Sequence, residues 1–181
     1  MKQYICTKLL DMILHETTAP EPEVQSSDYE IERGKPMPST VHAYVQANLL
    51  VALTNLFNNR YTILPELSLE RSGLTPPTVP DLAIYPKFKI DIHQDTIRRT
   101  DMPLGVVEIL SPSQNLDDML GKATAFLLEG VQSVWIVVPP LEGVFVYHAP
   151  NRYDFYHGND TLRDERLDIE LPLSAIFGAR G

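Results

Sequence analysis

Hydrophobic and polar residues follow two periods along the chain. Apolar residues recur at helical spacing over 39–58 and again over 115–129, which predicts two amphipathic helices, the first capped by Ser39 or Thr40. Runs rich in Val, Ile and Leu predict buried strands, and alternating segments predict outer ones, at 29–32, 61–70, 81–85, 104–110, 133–138, 143–148, 153–156 and 167–170. This order of elements predicts an α/β (α+β) fold, with a central mixed β-sheet flanked by helices.

The connections between these elements predict the domain organisation. Residues 5–16 are consistent with a short helix, and residues 17–27 are rich in Pro, Ser and Glu and predict a loop. We therefore expect an N-terminal helix and loop over 1–27 and a single domain over 28–181. Three prolines make 72–80 a turn-rich connection, and 86–102 is a long polar loop.

Composition and charge narrow the class of protein. Of the 181 residues, 44% are hydrophobic and 22% charged, which is typical of a globular chain with a sizeable core. We expect neither a membrane span nor a signal peptide, and the single Cys6 is consistent with a cytoplasmic location. The net charge of −9 disfavours a protein that coats DNA with a broad basic face. It leaves open an enzyme that acts on phosphodiesters and has only a local basic rim.

Two acidic residues occur where apolar strands are predicted. Glu108 interrupts GVVEIL (105–110), and Asp81 opens the strand that follows Pro80. A carboxylate inside a buried strand requires a cation, hydrogen bonds or protonation. For each residue alone, a simpler structural explanation also exists: Glu108 can reach water at the strand end, and Asp81 can bond nearby turn amides.

A lysine on the following helix adds a third group. Lys122 is four residues after Asp118, which permits an ordinary ion pair, but it can also reach back towards Glu108. Two carboxylates with a nearby lysine suit a Mg²⁺ or Mn²⁺ site, to which the Ile109 carbonyl can add a ligand. Such a site can activate water and stabilise charge on a phosphate.

The order of these motifs resembles the Uma-type family of restriction-endonuclease-like proteins. The resemblance rests on Pro80-Asp81, on Glu108 in VVEILSPS, on Asp118-x-x-x-Lys122 and on EGVQSVWIVVPP, and it spans about Tyr29 to Tyr147. Tyr29-Glu30, Gly34 and His42 also resemble that family's opening segment. The resemblance implies a PD-(D/E)xK nuclease core with Asp81 and Glu108 as metal ligands and Lys122 as the catalytic cation.

This sequence departs from the expected pattern at two positions. Leu110 occupies the place of the lysine that follows the glutamate in PD-(D/E)xK enzymes, so that the lysine of this family lies on the helix instead. Val138 occupies a position where the family often has aspartate. Both departures leave open an alternative, a restriction-endonuclease-like domain that no longer cuts and serves as an interaction module.

Further residues are candidates for supporting roles. Asp118, His42, Gln46 and Ser111 are expected around the site, although a packing role for His42 and Gln46 explains their spacing equally well. We expect nucleic acid, most simply DNA, as partner, and a homodimer is compatible with cleavage of two strands. A general acid/base pair of a hydrolase such as a glycosidase is a third reading of the two carboxylates. The loop between their strands carries basic residues that suit phosphate contacts, namely Lys87, Lys89, Arg98 and Arg99.

Overall fold

The structure, a computed structural model, describes residues 38–71 and 74–178. These residues all fall within one unit, Pro38–Gly181. The helix predicted at 5–16, the loop at 17–27, the strand at 29–32 and the boundary after residue 27 lie outside the described residues.

The two predicted helices form close to their expected limits. Helix α1 spans Thr40–Phe57, and the Ser39 side chain caps it by accepting a hydrogen bond from the His42 N–H at 3.2 Å. The second long helix, α2, spans Leu116–Leu128 and is capped by Asn115. Caps of this kind satisfy amide groups that the first turn of a helix leaves open. Both helix predictions are therefore confirmed.

A six-stranded mixed sheet forms the centre of the described residues. In sheet order, its strands are β1 (Tyr61–Pro65), β4 (Leu82–Pro86), β6 (Gly105–Ile109), β7 (Ser133–Val138), β8 (Gly143–Ala149) and β9 (Arg152–His157). Strands β6 and β7 are parallel, and the other neighbours are antiparallel. The predicted mixed sheet is confirmed.

Hydrophobic cores cover both faces of this sheet. Val107 and Ile109 point into the cluster that contains Val45 and Leu49 of α1, whereas Val106 points into the cluster that contains Phe126 of α2. Side chains alternate along a strand, so Glu108 shares the α2 face with Val106. Among the described residues, no helix is both long and apolar enough to cross a membrane.

Two small sheets correct the sequence predictions. The predicted strand 61–70 is two strands, because Glu66 has a left-handed φ of 53° between β1 and β2 (Ser68–Arg71). Within the predicted turn segment 72–80, Leu74–Thr78 forms β3, which pairs with β2 on the edge of a three-stranded sheet. An edge strand tolerates prolines because half of its amides need no partner. The parallel partner on the other side of β2 is the two-residue strand β5 (Arg98–Arg99), inside the predicted loop 86–102.

The C-terminal segment also differs from expectation. The last strand, β11, spans Ile169–Pro172 instead of 167–170, and it pairs with β10 (Thr161–Asp164), which was not predicted. The short helix α3 (Ser174–Phe177) follows. Trp135 of β7 is buried, and its Nε1 donates to the buried Asp164 Oδ2 at 2.7 Å.

Candidate functional site

The two acidic residues singled out in the sequence meet at one end of the central sheet. Asp81 immediately precedes β4, in which Leu82 pairs with Val107 of β6. Continuing this register by one residue places Asp81 opposite Glu108 across the two antiparallel strands. Each residue is only 2% exposed. The alternative explanation, in which Glu108 reaches water at the strand end, is therefore not supported.

Asp81 is held by backbone and side-chain groups from three segments. Its Oδ2 accepts a hydrogen bond from the Ile109 N–H at 2.7 Å, and its Oδ1 is 3.3 Å from Nε2 of His42. Its carbonyl oxygen accepts from Nε2 of Gln46 at 3.1 Å. These contacts fix the direction of the carboxylate, as buried acidic groups require.

His42 connects Asp81 to the segment that follows β6. The Nδ1 of His42 is 2.9 Å from Oγ of Ser111, and both residues are buried. His42 and Gln46 are one helical turn apart on α1, so they reach Asp81 from the same side of the helix. His42, Gln46 and Ser111 are thus brought together around Asp81.

Glu108 faces Lys122 of α2. The Nζ of Lys122 is 4.0 Å from Oε2 of Glu108; the side chain of Lys122 is 35% exposed, and that of Glu108 is 3% exposed. The alternative ion pair between Asp118 and Lys122, which their spacing permits, is not formed within the described ranges, and Asp118 is exposed. α2 packs against β7 and β8, and this packing presents Lys122 to the sheet rather than to Asp118.

Glu66 is a member of this cluster that the sequence did not indicate. Its Oε1 accepts a hydrogen bond from Nε2 of Gln46 at 3.1 Å, and its backbone N–H donates to the Asp81 carbonyl at 3.3 Å. The left-handed backbone of Glu66 is uncommon for a residue with a side chain. A sequence signal was missing because Tyr61–Glu70 alternates like one continuous strand.

The basic loop residues divide into two groups. Lys87, Lys89 and Arg98 are exposed. Arg99 instead bonds Asp101 through two nitrogens, at 2.9 and 2.6 Å, and stacks over the rings of Tyr85 and Phe88. The hydrogen bond from Arg99 lowers the pKa of the Asp101 carboxyl. Arg99 therefore has a structural function in this loop.

The donor groups allow a test of the expected metal site. The described ranges contain no cluster of three or more His, Cys, Asp or Glu side chains that could hold a metal ion. A strand residue points its N–H and C=O to the same side, so the Ile109 carbonyl also faces the side of Asp81. Magnesium sites commonly use one or two carboxylates and complete the shell with water or phosphate oxygens. Asp81, Glu108 and Ile109 fit a site of that kind.

The fold of the described residues, a central mixed six-stranded sheet flanked by helices, also occurs in a solved structure. A solved structure described as "a putative nuclease belonging to DUF820 from Anabaena variabilis ATCC 29413" is similar, with a TM-score of 0.67 and 19% identity over 78% of this chain and 83% of that chain. At this identity, the similarity establishes the fold.

The family is established by the sequence. Residues 9–174 match the profile of the Uma2 family, which is described as "Putative restriction endonuclease". The chain belongs to the Uma2 family, as the motifs around Asp81, Glu108 and Lys122 indicated. No curated protein matched.

Proposed function

We propose that this protein is a metal-dependent nuclease that hydrolyses phosphodiester bonds, most simply those of DNA. Asp81 and Glu108 are the proposed ligands of Mg²⁺ or Mn²⁺, and Lys122 is the proposed catalytic cation. One observation carries the proposal: two buried carboxylates lie at the same end of the paired strands β4 and β6, and a lysine amine is 4.0 Å from one of them. Membership of a family described as "Putative restriction endonuclease" supports the same reaction class.

The chemistry of the donors supports a hard divalent cation. Carboxylate and carbonyl oxygens of Asp81, Glu108 and Ile109 would hold it, and these are ligand types that Mg²⁺ and Mn²⁺ accept. When bound, the ion would lower the pKa of a water molecule and offset charge on a phosphate. Two buried carboxylates on paired strands are costly to keep charged, and a bound cation would offset part of that cost in addition to His42 and Lys122.

The remaining residues orient these groups and the substrate. Lys122 can donate to an oxygen of the reacting phosphate, because its side chain is partly exposed while its amine faces Glu108. His42 and the Ile109 amide hold the two oxygens of Asp81 in place. The exposed Lys87, Lys89 and Arg98 are proposed to contact the nucleic-acid backbone. Ser111 and Gln46 support His42 and Asp81.

The test is metal-dependent cleavage of supercoiled plasmid DNA by wild type, Asp81→Asn and Glu108→Gln. Asp117→Asn is the matched control, because it removes the same charge from an exposed site on α2. We expect wild type and Asp117→Asn to cut in Mg²⁺ or Mn²⁺, and the two site variants to lose cleavage. Thermal melting with and without Mn²⁺ gives a second readout, since a bound ion raises the melting temperature.

The outcomes separate the proposal from its alternatives. Cleavage by Glu108→Gln at the wild-type rate would contradict the assignment of the site. Absence of both cleavage and metal response in the wild-type protein would favour a non-cutting interaction module. Metal binding without cleavage of plasmid DNA would retain the site and direct the assay to RNA and single-stranded DNA.

A further inference from the structure

We infer that the turn between β8 and β9 is a binding site for an unpaired nucleotide. The base would enter an uncharged aromatic slot, and the phosphate would contact Arg152 and Arg166. The inference rests on the proposed function for nucleic acid as the source of this nucleotide. Its residues are separate from Asp81, Glu108 and Lys122.

The aromatic slot lies between α2 and the adjoining ends of β8 and β9. It has a volume of about 260 Å³, and none of the residues that line it is charged. Leu120 of α2 lines the slot, together with three aromatic rings that contact one another: the Tyr153 ring is 5.0 Å from Tyr147 and 5.3 Å from Phe145 between centroids. Tyr153 is 51% exposed, so its ring is available to a ligand.

Two polar side chains also line the slot, namely Thr124 and Asn151. The Thr124 hydroxyl donates to the Leu120 carbonyl at 3.0 Å, so its lone pairs remain as acceptors. The amide of Asn151 both donates and accepts, and the residue is exposed. An unpaired base has flat faces that stack on aromatic rings and an edge with donors and acceptors. The slot therefore suits a base, whereas it has no cation for a phosphate.

A larger cleft adjoins the slot, because Asn151 and Tyr153 line both. It has a volume of about 880 Å³ and contains Arg152 and Arg166. Among residues 38–71 and 74–178, neither guanidinium group forms an ion pair with a carboxylate. Guanidinium groups bind phosphate oxygens, often through two N–H groups at once. The cleft thus supplies the cations that the slot lacks.

Two carboxylates, those of Asp154 and Glu165, also line the cleft. Oδ2 of Asp154 is 2.9 Å from Nε2 of His148, so this carboxylate is engaged within the protein. Glu165 is the remaining acidic group, and the two guanidinium groups outnumber it. The groups that can face a ligand are therefore mainly cationic, which favours an anion beside an aromatic surface. A nucleotide combines these two properties.

The position of the slot suits a strand that also reaches the proposed nuclease site. Glu108 pairs with Ile136, and Ile136 pairs with Phe145, so the slot begins two strand spacings from Glu108, about 10 Å. Leu120 lines the slot, whereas Lys122 faces Glu108, and residues two apart point to nearly opposite sides of a helix. A single strand that passes over α2 would place one nucleotide in the slot and another at Glu108.

The first test measures binding of a short fluorescein-labelled oligothymidylate by fluorescence anisotropy, in EDTA so that metal-dependent cleavage does not occur. We expect Tyr153→Ala to raise the Kd about 5- to 100-fold, the contribution of one base that stacks on an aromatic ring. Tyr153→Phe keeps the ring and should bind like wild type. Tyr44→Ala is the matched control, because Tyr44 is 53% exposed and lies on α1, outside the slot. Circular dichroism verifies that each variant is folded.

The salt dependence of the same Kd tests the two arginines. Each phosphate contact of a single strand contributes about 0.7 to the slope of log K against log salt concentration. We expect Arg152→Gln and Arg166→Gln each to reduce the magnitude of that slope by about 0.7. Arg163→Gln is the matched control and should leave the slope unchanged, because Nε of Arg163 is 3.4 Å from Oε1 of Glu170 and the residue lies outside the cleft.

Two further ligands identify the source of the nucleotide. Tyr153→Ala should leave the Kd of a labelled blunt DNA duplex unchanged, because paired bases do not enter the slot. Displacement of the oligothymidylate by thymidine 5′-monophosphate would support the site with a free nucleotide as its ligand. Lack of displacement would support a nucleotide within a strand.

Three results would overturn the inference. These are equal Kd values for Tyr153→Ala and Tyr44→Ala, an unchanged salt slope in both arginine variants, and no binding of either oligothymidylate or thymidine 5′-monophosphate to wild type. Because the measurements need no cleavage, the two proposals fail separately. A chain that binds the single strand through Tyr153 without cutting retains this inference, and one that cuts DNA but is insensitive to Tyr153→Ala retains only the proposed function.

Discussion

Replacement of His42 by alanine is the perturbation that most directly tests how Asp81 is held. His42 is 6% exposed, and its two ring nitrogens contact Ser111 Oγ at 2.9 Å and Asp81 Oδ1 at 3.3 Å. Alanine removes both contacts at once. The Ser111 hydroxyl and the Asp81 carboxylate remain buried, whereas the bond from the Ile109 N–H to Asp81 is kept.

The expected cost follows from these two contacts. Loss of a buried hydrogen-bond partner costs about 1–3 kcal/mol. Water that enters the space left by the imidazole can replace part of the two lost contacts, so we expect the free energy of unfolding to fall by about 2–4 kcal/mol. For a domain of this size, each kcal/mol lowers the melting temperature by about 2–4 °C. We therefore expect His42→Ala to melt about 4–16 °C below wild type. It should also respond less to Mn²⁺, because Asp81 then keeps only the Ile109 N–H of the two groups that hold its carboxylate oxygens.

Thermal and urea denaturation, each with and without Mn²⁺, measure both effects. His93→Ala is the control, because His93 is exposed and its replacement should change stability by less than about 0.5 kcal/mol. His42→Gln can place an amide nitrogen near the position of Nε2, so it should recover part of the Mn²⁺ response. A His42→Ala variant that matches His93→Ala in both measurements would refute the reasoning.

Two further predictions concern Lys122 and Tyr85. Lys122→Met should lower the single-turnover cleavage rate about 10²- to 10³-fold, which is the effect of removing one donor that stabilises a developing charge. The rise in melting temperature that Mn²⁺ causes should persist in this variant, and its loss would contradict the assignment of Lys122 as the catalytic cation. Burial raises the pKa of Tyr85 to about 12, so the folded state favours the neutral phenol, and its stabilising effect is complete below pH 10 and is lost as pH rises towards 12. Unfolding free energies of wild type should fall by up to about 2–3 kcal/mol more than those of Tyr85→Phe over that interval, and parallel curves would contradict the prediction.

Local sequence patterns predicted most elements of the central layers. The runs over 104–110 and 133–138 contain few polar residues, so their burial in a mixed sheet followed from composition alone. The helices had both an apolar face and a cap, as Asn115 of α2 illustrates. The prediction of a turn-rich connection over 72–80 was wrong, because its prolines favour turns locally. Only pairing with β2 at a sheet edge makes Leu74–Thr78 a strand.

In the candidate site, too, residues with a local sequence signal were predicted, and contacts between distant segments were not. Asp81, Glu108 and Lys122 were identified from the sequence, because each carries a local signal. The two acidic residues lie in or beside buried strands, the lysine lies on the next helix, and all three fall within the family motif. Glu66 gave no such signal, since its contact with Gln46 joins residues twenty positions apart. Arg99 likewise stacks on Tyr85, and this contact between a loop and a strand gives no local signal in the sequence.

The sequence by itself determined which strands are buried, where the long helices begin and end, and which carboxylates and lysine are chemically unusual, because these depend on periodicity and residue type along short segments. The tertiary structure alone decided that Lys122 faces Glu108 instead of Asp118, and that His42 and Ser111 meet at Asp81. These features depend on strand order and helix rotation, which bring together residues far apart in the chain.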